Sequence, residues 1–197
     1  MTRTISDTIE VATARRQERD TAAVSARDPD WSREAKRAWA WDPGRALIAS
    51  LRAYERFMHG SRVDRWLLRG LAILRHRFWS TVTGAEVPLG CRIGGGLLLP
   101  HPNGVVIHPG TTIGPNCLIF QQVTLGTRSS LAGTPIIGGH VEIGAGARIL
   151  GGVRIGDHAT IGANAVVLRD VPSGATAVGV PARVLQQESS SCSQDTD

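Results

Sequence analysis

An aliphatic residue returns at every sixth position through the middle of the chain: Ile107, Ile113, Ile119, Leu125, Leu131, Ile137, Ile143, Ile149, Ile155, Ile161 and Val167. Neither a helix nor a flat strand has that period. A second series, four residues after each aliphatic, is small or thin: Thr111, Cys117, Val123, Val141, Ala147, Val153, Ala159, Ala165 and Val171. Glycine follows the aliphatic at 114, 126, 138, 144, 156 and 162. A repeat of this length predicts a β-solenoid, each hexad giving one short strand and one corner, with three sides closing a coil of roughly 18 residues. The aliphatics fill the prism and the small residues sit beside them. Asn116, Gln122, His140, Gly146, Gly152, His158, Asn164 and Asp170 fall three residues after the aliphatic. Those residue types tolerate left-handed backbone angles better than most, as a tight corner requires.

The repeat starts earlier, at Glu86 to Arg92, with Val87, Ile93, Leu99 and Val105 already six apart. Their register is two residues out of step with Ile107, so something is inserted within Pro100-His101-Pro102-Asn103-Gly104. Between Leu125 and Ile137 the spacing of two hexads is kept, but residues 126–135 have the composition of a loop, which we expect to project, although Leu131 retains a core position in the pattern. Ala175 to Leu185 closes the coil.

Ahead of the repeat the pattern is helical. Ser32 is placed to cap a helix over 33–39, and Asp42-Pro43 opens another in which Leu47, Leu51, Tyr54 and Met58 recur. His59-Gly60 ends it. Ser61 opens a third helix, with Val63, Trp66, Leu67, Leu71, Leu74 and Phe78 on one face and Arg62, Arg65, Arg69 and Arg75 elsewhere. This basic amphipathic helix, 61–79, is expected to pack on the solenoid or a neighbouring subunit, or to touch anionic lipid. The chain thus divides into a flexible arm (1–26), an α-helical region (27–80), a β-helix domain (84–185) and a disordered tail (186–197).

Composition fits a narrow prism: 42% hydrophobic but only 5% aromatic. The formal charge of +5 is a property of the first 80 residues, which hold 16 Lys and Arg against 10 Asp and Glu, whereas residues 81–197 hold 6 against 7. The basic residues alternate with acids and form no dense cluster, which argues against nucleic-acid binding. Cys91, Cys117 and Cys192 show no paired spacing, pointing to a reducing compartment and no metal site. Residues 1–20 lack an apolar run and nothing reaches transmembrane length, so the expected location is cytoplasmic.

The six histidines separate by context. His59 and His76 suit caps or surface positions, His140 and His158 suit corners, and His108 follows a core aliphatic and is able to face a neighbour or a cleft. His101 stands at the break in the repeat between two prolines that stiffen its surroundings. Glu86 lies fifteen residues earlier, close to one coil of roughly 18 residues. A carboxylate within reach of the imidazole would raise its basicity and fix its tautomer, as a general base needs.

The hexads, together with His101-Pro102-Asn103-Gly104-Val105-Val106-Ile107, Gln122-Val123-Thr124-Leu125-Gly126, Ile143-Gly144-Ala145-Gly146-Ala147 and Val178-Gly179-Val180-Pro181-Ala182-Arg183, resemble the serine O-acetyltransferase branch of the hexapeptide-repeat acyltransferases. The resemblance covers about residues 84–185, with an echo at Ala26-Arg27-Asp28-Pro29. It implies a mainly β fold, a left-handed parallel β-helix with an N-terminal α-helical region, a homotrimer with sites between subunits, and acetyl-CoA as donor without a metal. It implies that His101 is the base, that Glu86 stands where the family has an orienting aspartate, and that Asp28-Pro29 is the substrate motif. It implies coenzyme contacts at Gly126, Thr127, Ala145 and Ala163.

Two departures bear on the acceptor. The Arg-His pair that holds the serine carboxylate in the family falls on Gly133 and Thr134, and the acidic residue before the catalytic histidine falls on Pro100. Arg128, in the same loop, is suited to replace the carboxylate partner. The resemblance therefore leaves L-serine and a sugar hydroxyl of an exopolysaccharide precursor as acceptors, and a scaffold without catalysis as a third reading.

Overall fold

The computed structural model describes residues 24–36, 39–58, 62–129 and 132–185, without the side chains of 62–67. The expectations for the arm before residue 24, His59-Gly60, Ser61, Leu131, Cys192 and the tail lie outside the described residues, as do the side chains of Val63, Trp66 and Leu67.

Among the described residues, thirteen short strands wind into a three-sided β-helix. The first sheet holds β1 (Arg92–Ile93), β3 (Thr112–Ile113), β6 (Ile136–Ile137) and β9 (Arg154–Ile155). The second holds β4 (Leu118–Ile119), β7 (Glu142–Ile143), β10 (Thr160–Ile161), β12 (Thr176–Val178) and β13 (Arg183–Leu185). The third holds β2 (Val106–Ile107), β5 (Thr124–Gly126), β8 (Arg148–Leu150) and β11 (Val166–Val167). Every neighbour is parallel except β13, which turns back antiparallel on β12 and closes the prism. In each two-residue strand the second residue points inward, because successive side chains alternate across a strand. The predicted aliphatic and small series, apart from Leu131, are buried throughout.

Register shows where the rhythm fails. The coil from Ile136 repeats at the expected interval, with Ile136 opposite Arg154 and Glu142 opposite Thr160, whereas the last coil is two residues shorter, with Ile155 opposite Val171 and Thr160 opposite Thr176. The first coil is two residues longer: Arg92 pairs with Thr112 and Leu98 with Leu118. The coil that follows is six longer, with Thr112 opposite Ile136 and Thr124 opposite Arg148, so a whole hexad leaves the coil as the expected projecting loop. The corners take positive φ at Asn116, Gln122, His140, Gly146, His158 and Asn164. The assignments of Gly152 and Asp170 are corrected: Gly151 carries the positive φ, at 88°, in place of Gly152, and Asp170 does not take positive φ.

The N-terminal region closes the first coil. The expected helix over 33–39 is instead one 3-10 turn, Trp31–Glu34, capped by Asp30, whose carboxylate accepts from the Ser32 N–H. Helix α1 (Pro43–Met58) buries Leu47, Ile48 and Leu51 in the core of the prism. A Cβ at Gly44 would strike the Leu99 carbonyl, so glycine permits that close approach. Met58 is exposed and Tyr54 only half-buried, so the expected stripe is core at its first half alone. Arg52 ties the layers together: it pairs with Glu34 at 2.9 Å and donates to the Ile93 and Gly94 carbonyls, while Glu34 accepts from the Gly96 N–H.

Helix α2 (Arg62–Thr83) packs on α1 and the first coil by a face the large apolar residues did not reveal: Ala72, His76 and Thr83 are buried, while Leu71, Leu74 and Phe78 are exposed. His76, expected at a cap or the surface, is 5% exposed; its ring lies 2.9 Å from the Ser50 hydroxyl and 2.8 Å from the Val87 carbonyl. Burial holds its pKa below the ordinary value, so the neutral ring bridges both helices and the coil.

Among the described residues the arm is docked on the prism from Ser25 onward. The buried Asn116 side chain donates to the Ser25 and Asp28 carbonyls and accepts from the Asp30 N–H, at 2.7, 2.9 and 2.8 Å.

Candidate active site

The three corners of each coil stack into three edges along the prism. On the edge between the second and third sheets, corner follows corner through backbone bonds: the Gln122 N–H donates to the Asn103 carbonyl, Gly146 to Gln121 and Asn164 to Ala145. His101 begins this edge. Its side chain is exposed, Pro102 behind it is buried, and the Val105 N–H closes a turn on the Pro102 carbonyl. The two-residue insertion thus displays an imidazole on a stiff turn. Ala145 and Ala163 lie farther along the same edge, half-buried and exposed. Their side chains end at Cβ and leave the edge open for an extended ligand.

Glu86 pairs through its backbone with Val106: its N–H donates to the Val105 carbonyl and its carbonyl accepts from Ile107. It is therefore level with a position five residues beyond His101, because the longer first coil shifts the register. Gly84, at the end of α2, accepts from the Gly104 N–H. The exposed Glu86 side chain lines a groove with Ile73, His76, Arg77 and Ser80, on the side of α2.

Gly126, Thr127 and Arg128 occupy the next edge, across the third sheet. Gly126 ends β5, and its carbonyl accepts from Gly151. Thr127 and Arg128 are exposed at the start of the projecting loop. The returning limb crosses the coil beneath it: the Thr134 hydroxyl donates to the Gly110 carbonyl at 2.7 Å, and Gly133 lies over Gly152. His108, on this edge, accepts from the Gly110 N–H through Nδ1. Thr134 therefore spends its hydroxyl on the backbone and offers an acceptor no charge.

Asp28 and Pro29 lie on the third edge. Pro29 packs on Gly95 beside Trp31, and the Asp28 carboxylate accepts from the Ser25 hydroxyl at 3.2 Å. His140 and His158 stack on this edge, Nδ1 to Nδ1 at 3.0 Å. Burial and the nearby His158 and Arg33 lower the His140 pKa.

The sequence-derived site residues are therefore spread over all three edges of one prism. His101, Ala145 and Ala163 share an edge; Gly126, Thr127 and Arg128 share another; Asp28-Pro29 stands on the third. Cys117, wholly buried, has its thiol pushed up to about 11 by burial, which removes it as a nucleophile. Among the described residues no three His, Cys, Asp or Glu converge as a metal site. Sequence reasoning missed Asn116 and Arg52, which hold the arm and α1 in place. Asn116 was visible only as one of two corner asparagines, with Asn164.

Residues 134–169 match the model of the bacterial transferase hexapeptide family, six repeats. By sequence the chain is similar to the serine acetyltransferase of Synechococcus elongatus, 42% identical over 130 residues, covering 63% of this chain and 53% of that protein. It is 45% identical over 109 residues to that of Helicobacter pylori, covering 54% and 64%. By structure it is similar to soybean serine acetyltransferase complexed with serine, with a TM-score of 0.62 and 39% identity over 73% of this chain and 57% of that one. A serine acetyltransferase in complex with CoA gives 0.62 and 34% over 74% and 58%. The chain thus spans between 53% and 64% of the length of these relatives.

Proposed function

The chain carries the left-handed β-helix of the hexapeptide-repeat transferases and has serine acetyltransferases as its relatives, and from that premise we propose that it is an acetyl-CoA-dependent O-acetyltransferase. The observation that carries this reading is the single edge that holds His101 on a stiff turn and then leaves the backbone open at Ala145 and Ala163. The pantetheine arm lies along that edge, with its thioester at the His101 end. His101 takes the proton from the acceptor hydroxyl as its oxygen attacks the thioester carbonyl. The tetrahedral intermediate collapses, the carbon–sulfur bond breaks, and the imidazolium returns the proton to the leaving CoA sulfur. Holding both substrates in one cleft removes much of the entropic barrier to their meeting. Glu86 acts on His101 as the orienting carboxylate once the side chains turn towards each other.

Because the remaining groups stand on other edges, one chain does not assemble the cleft. The reading therefore includes a homotrimer, in which the edge bearing Gly126, Thr127 and Arg128 of one subunit faces the His101 edge of the next. A backbone N–H near Gly126 then stabilises the oxyanion, and Asp28-Pro29 approaches the acceptor. We place the enzyme in the cytoplasm, with a small hydroxyl compound as acceptor.

L-serine is the acceptor favoured by the relatives and by the Asp28-Pro29 echo. A sugar hydroxyl is favoured by Gly133 and Thr134, where the carboxylate clamp is absent and the remaining hydroxyl is committed to Gly110. Thiol release from acetyl-CoA, comparing L-serine with a panel of sugars, separates them. Release that depends on serine and falls in Arg128→Ala is the expected outcome; release with a sugar alone contradicts the serine assignment.

A further inference from the structure

We propose that α2 docks the protein on an anionic membrane surface. The helix presents two faces. One, through Ala72 and His76, is consumed by α1 and the first coil. The other stays uncovered: Leu71, Leu74 and Phe78 are 62%, 66% and 58% exposed, with Val82 continuing the line. At about 100° of turn per residue these four fall within one narrow arc, separate from the buried face.

The arc extends into an aromatic cluster. Phe78 meets Trp79 edge to face at 5.2 Å, and Trp79 meets Trp41 at 6.0 Å. Trp41 is 77% exposed, and Trp39 two residues earlier is also exposed. Tryptophan, with an apolar body and one N–H, suits the boundary between acyl chains and water.

Charge selects the occupant. Helix α2 carries five arginines, Arg62, Arg65, Arg69, Arg75 and Arg77, against the single acid Asp64. Arg75 and Arg77 are exposed at the borders of the apolar arc, and the Lys36 ammonium sits 5.5 Å from the Trp79 ring. A second copy laid on this face would bring Arg75, Arg77 and Lys36 of both chains together. Anionic lipid headgroups instead satisfy Arg75, Arg77 and Lys36, which border the arc, while the leucines and aromatics enter the acyl boundary. No described helix is long and apolar enough to cross a membrane, so the helix lies along the surface.

The inference does not depend on acetyl transfer, and its test reads lipid binding directly. Full-length protein is sedimented with vesicles of phosphatidylcholine alone, or of phosphatidylcholine mixed with phosphatidylglycerol. It is expected to pellet with the mixed vesicles, to stay in solution with the neutral ones, and to be released by raised salt. Leu74→Glu combined with Phe78→Glu is expected to abolish pelleting. Both side chains are exposed, so an unchanged unfolding midpoint shows that the fold is intact. Failure of the wild type to pellet with the mixed vesicles overturns the proposal, as does pelleting of the folded double variant at the wild-type level. A lipid-free doubling of assembly mass that the double variant abolishes, without vesicle binding by the wild type, identifies a second copy as the occupant and equally overturns it.

Discussion

His101→Ala is expected to lower acetyl transfer by about 10²–10⁴-fold, the usual scale for loss of a general base. The side chain is exposed on a turn whose packing comes from Pro102 and whose backbone bonds run through Gly104, Val105 and Asn103. None of these uses the imidazole, so the loss should fall on turnover and spare stability. Thiol release under saturating acetyl-CoA, with circular dichroism and the unfolding midpoint as controls, checks both halves. Normal turnover in a folded variant would remove His101 from the mechanism. Glu86→Gln should give a smaller loss and leave acetyl-CoA binding unchanged, because the carboxylate acts only through the imidazole.

The second large effect is on stability. Ile143 is fully buried in the second sheet, with Ile119 and Ile161 on the strands either side. Ile143→Ala removes three carbons from a narrow prism whose backbone is fixed on all three sides, so the cavity has little room to collapse. The expected cost is about 2–5 kcal/mol. Ile136, by contrast, points outward and is 42% exposed, so Ile136→Ala should stay within about 0.5 kcal/mol as a surface change. Denaturant unfolding at matched protein concentration compares the two. Equal costs would mean that the alternation of inward and outward residues is not as described.

The prism was legible because its physics is local. One aliphatic and one small residue per hexad are enough to fill a triangular coil, and a corner asparagine, histidine or glycine reports its own backbone angle. The helical region was harder. Leu71, Leu74 and Phe78 dominate the apolar pattern of α2, yet the helix approaches the coil through Ala72 and His76. A small residue admits close packing, and a histidine satisfies both ring nitrogens on the way in, so neither stands out in a hydrophobic series. The arm behaved similarly, since its docking rests on carbonyls held by the Asn116 side chain.

For the proposed site, the break in the repeat was the usable signal, and it pointed to His101. The proposed carboxylate partner was harder to place, because two extra residues in the first coil set Glu86 level with Val106. Spacing alone also cannot say which edge of a prism a residue occupies. Three groups that look contiguous in a motif list stand on three different edges here, and that arrangement is what makes neighbouring subunits necessary to the proposed cleft.

Acetyl-CoA titration by calorimetry tests the central claim most directly. Wild-type protein should bind saturably, and His101→Ala should bind comparably, because the imidazole serves the chemical step and the open edge at Ala145 and Ala163 serves the coenzyme. Absence of binding by the folded wild-type protein would contradict the account and leave the β-helix as a scaffold.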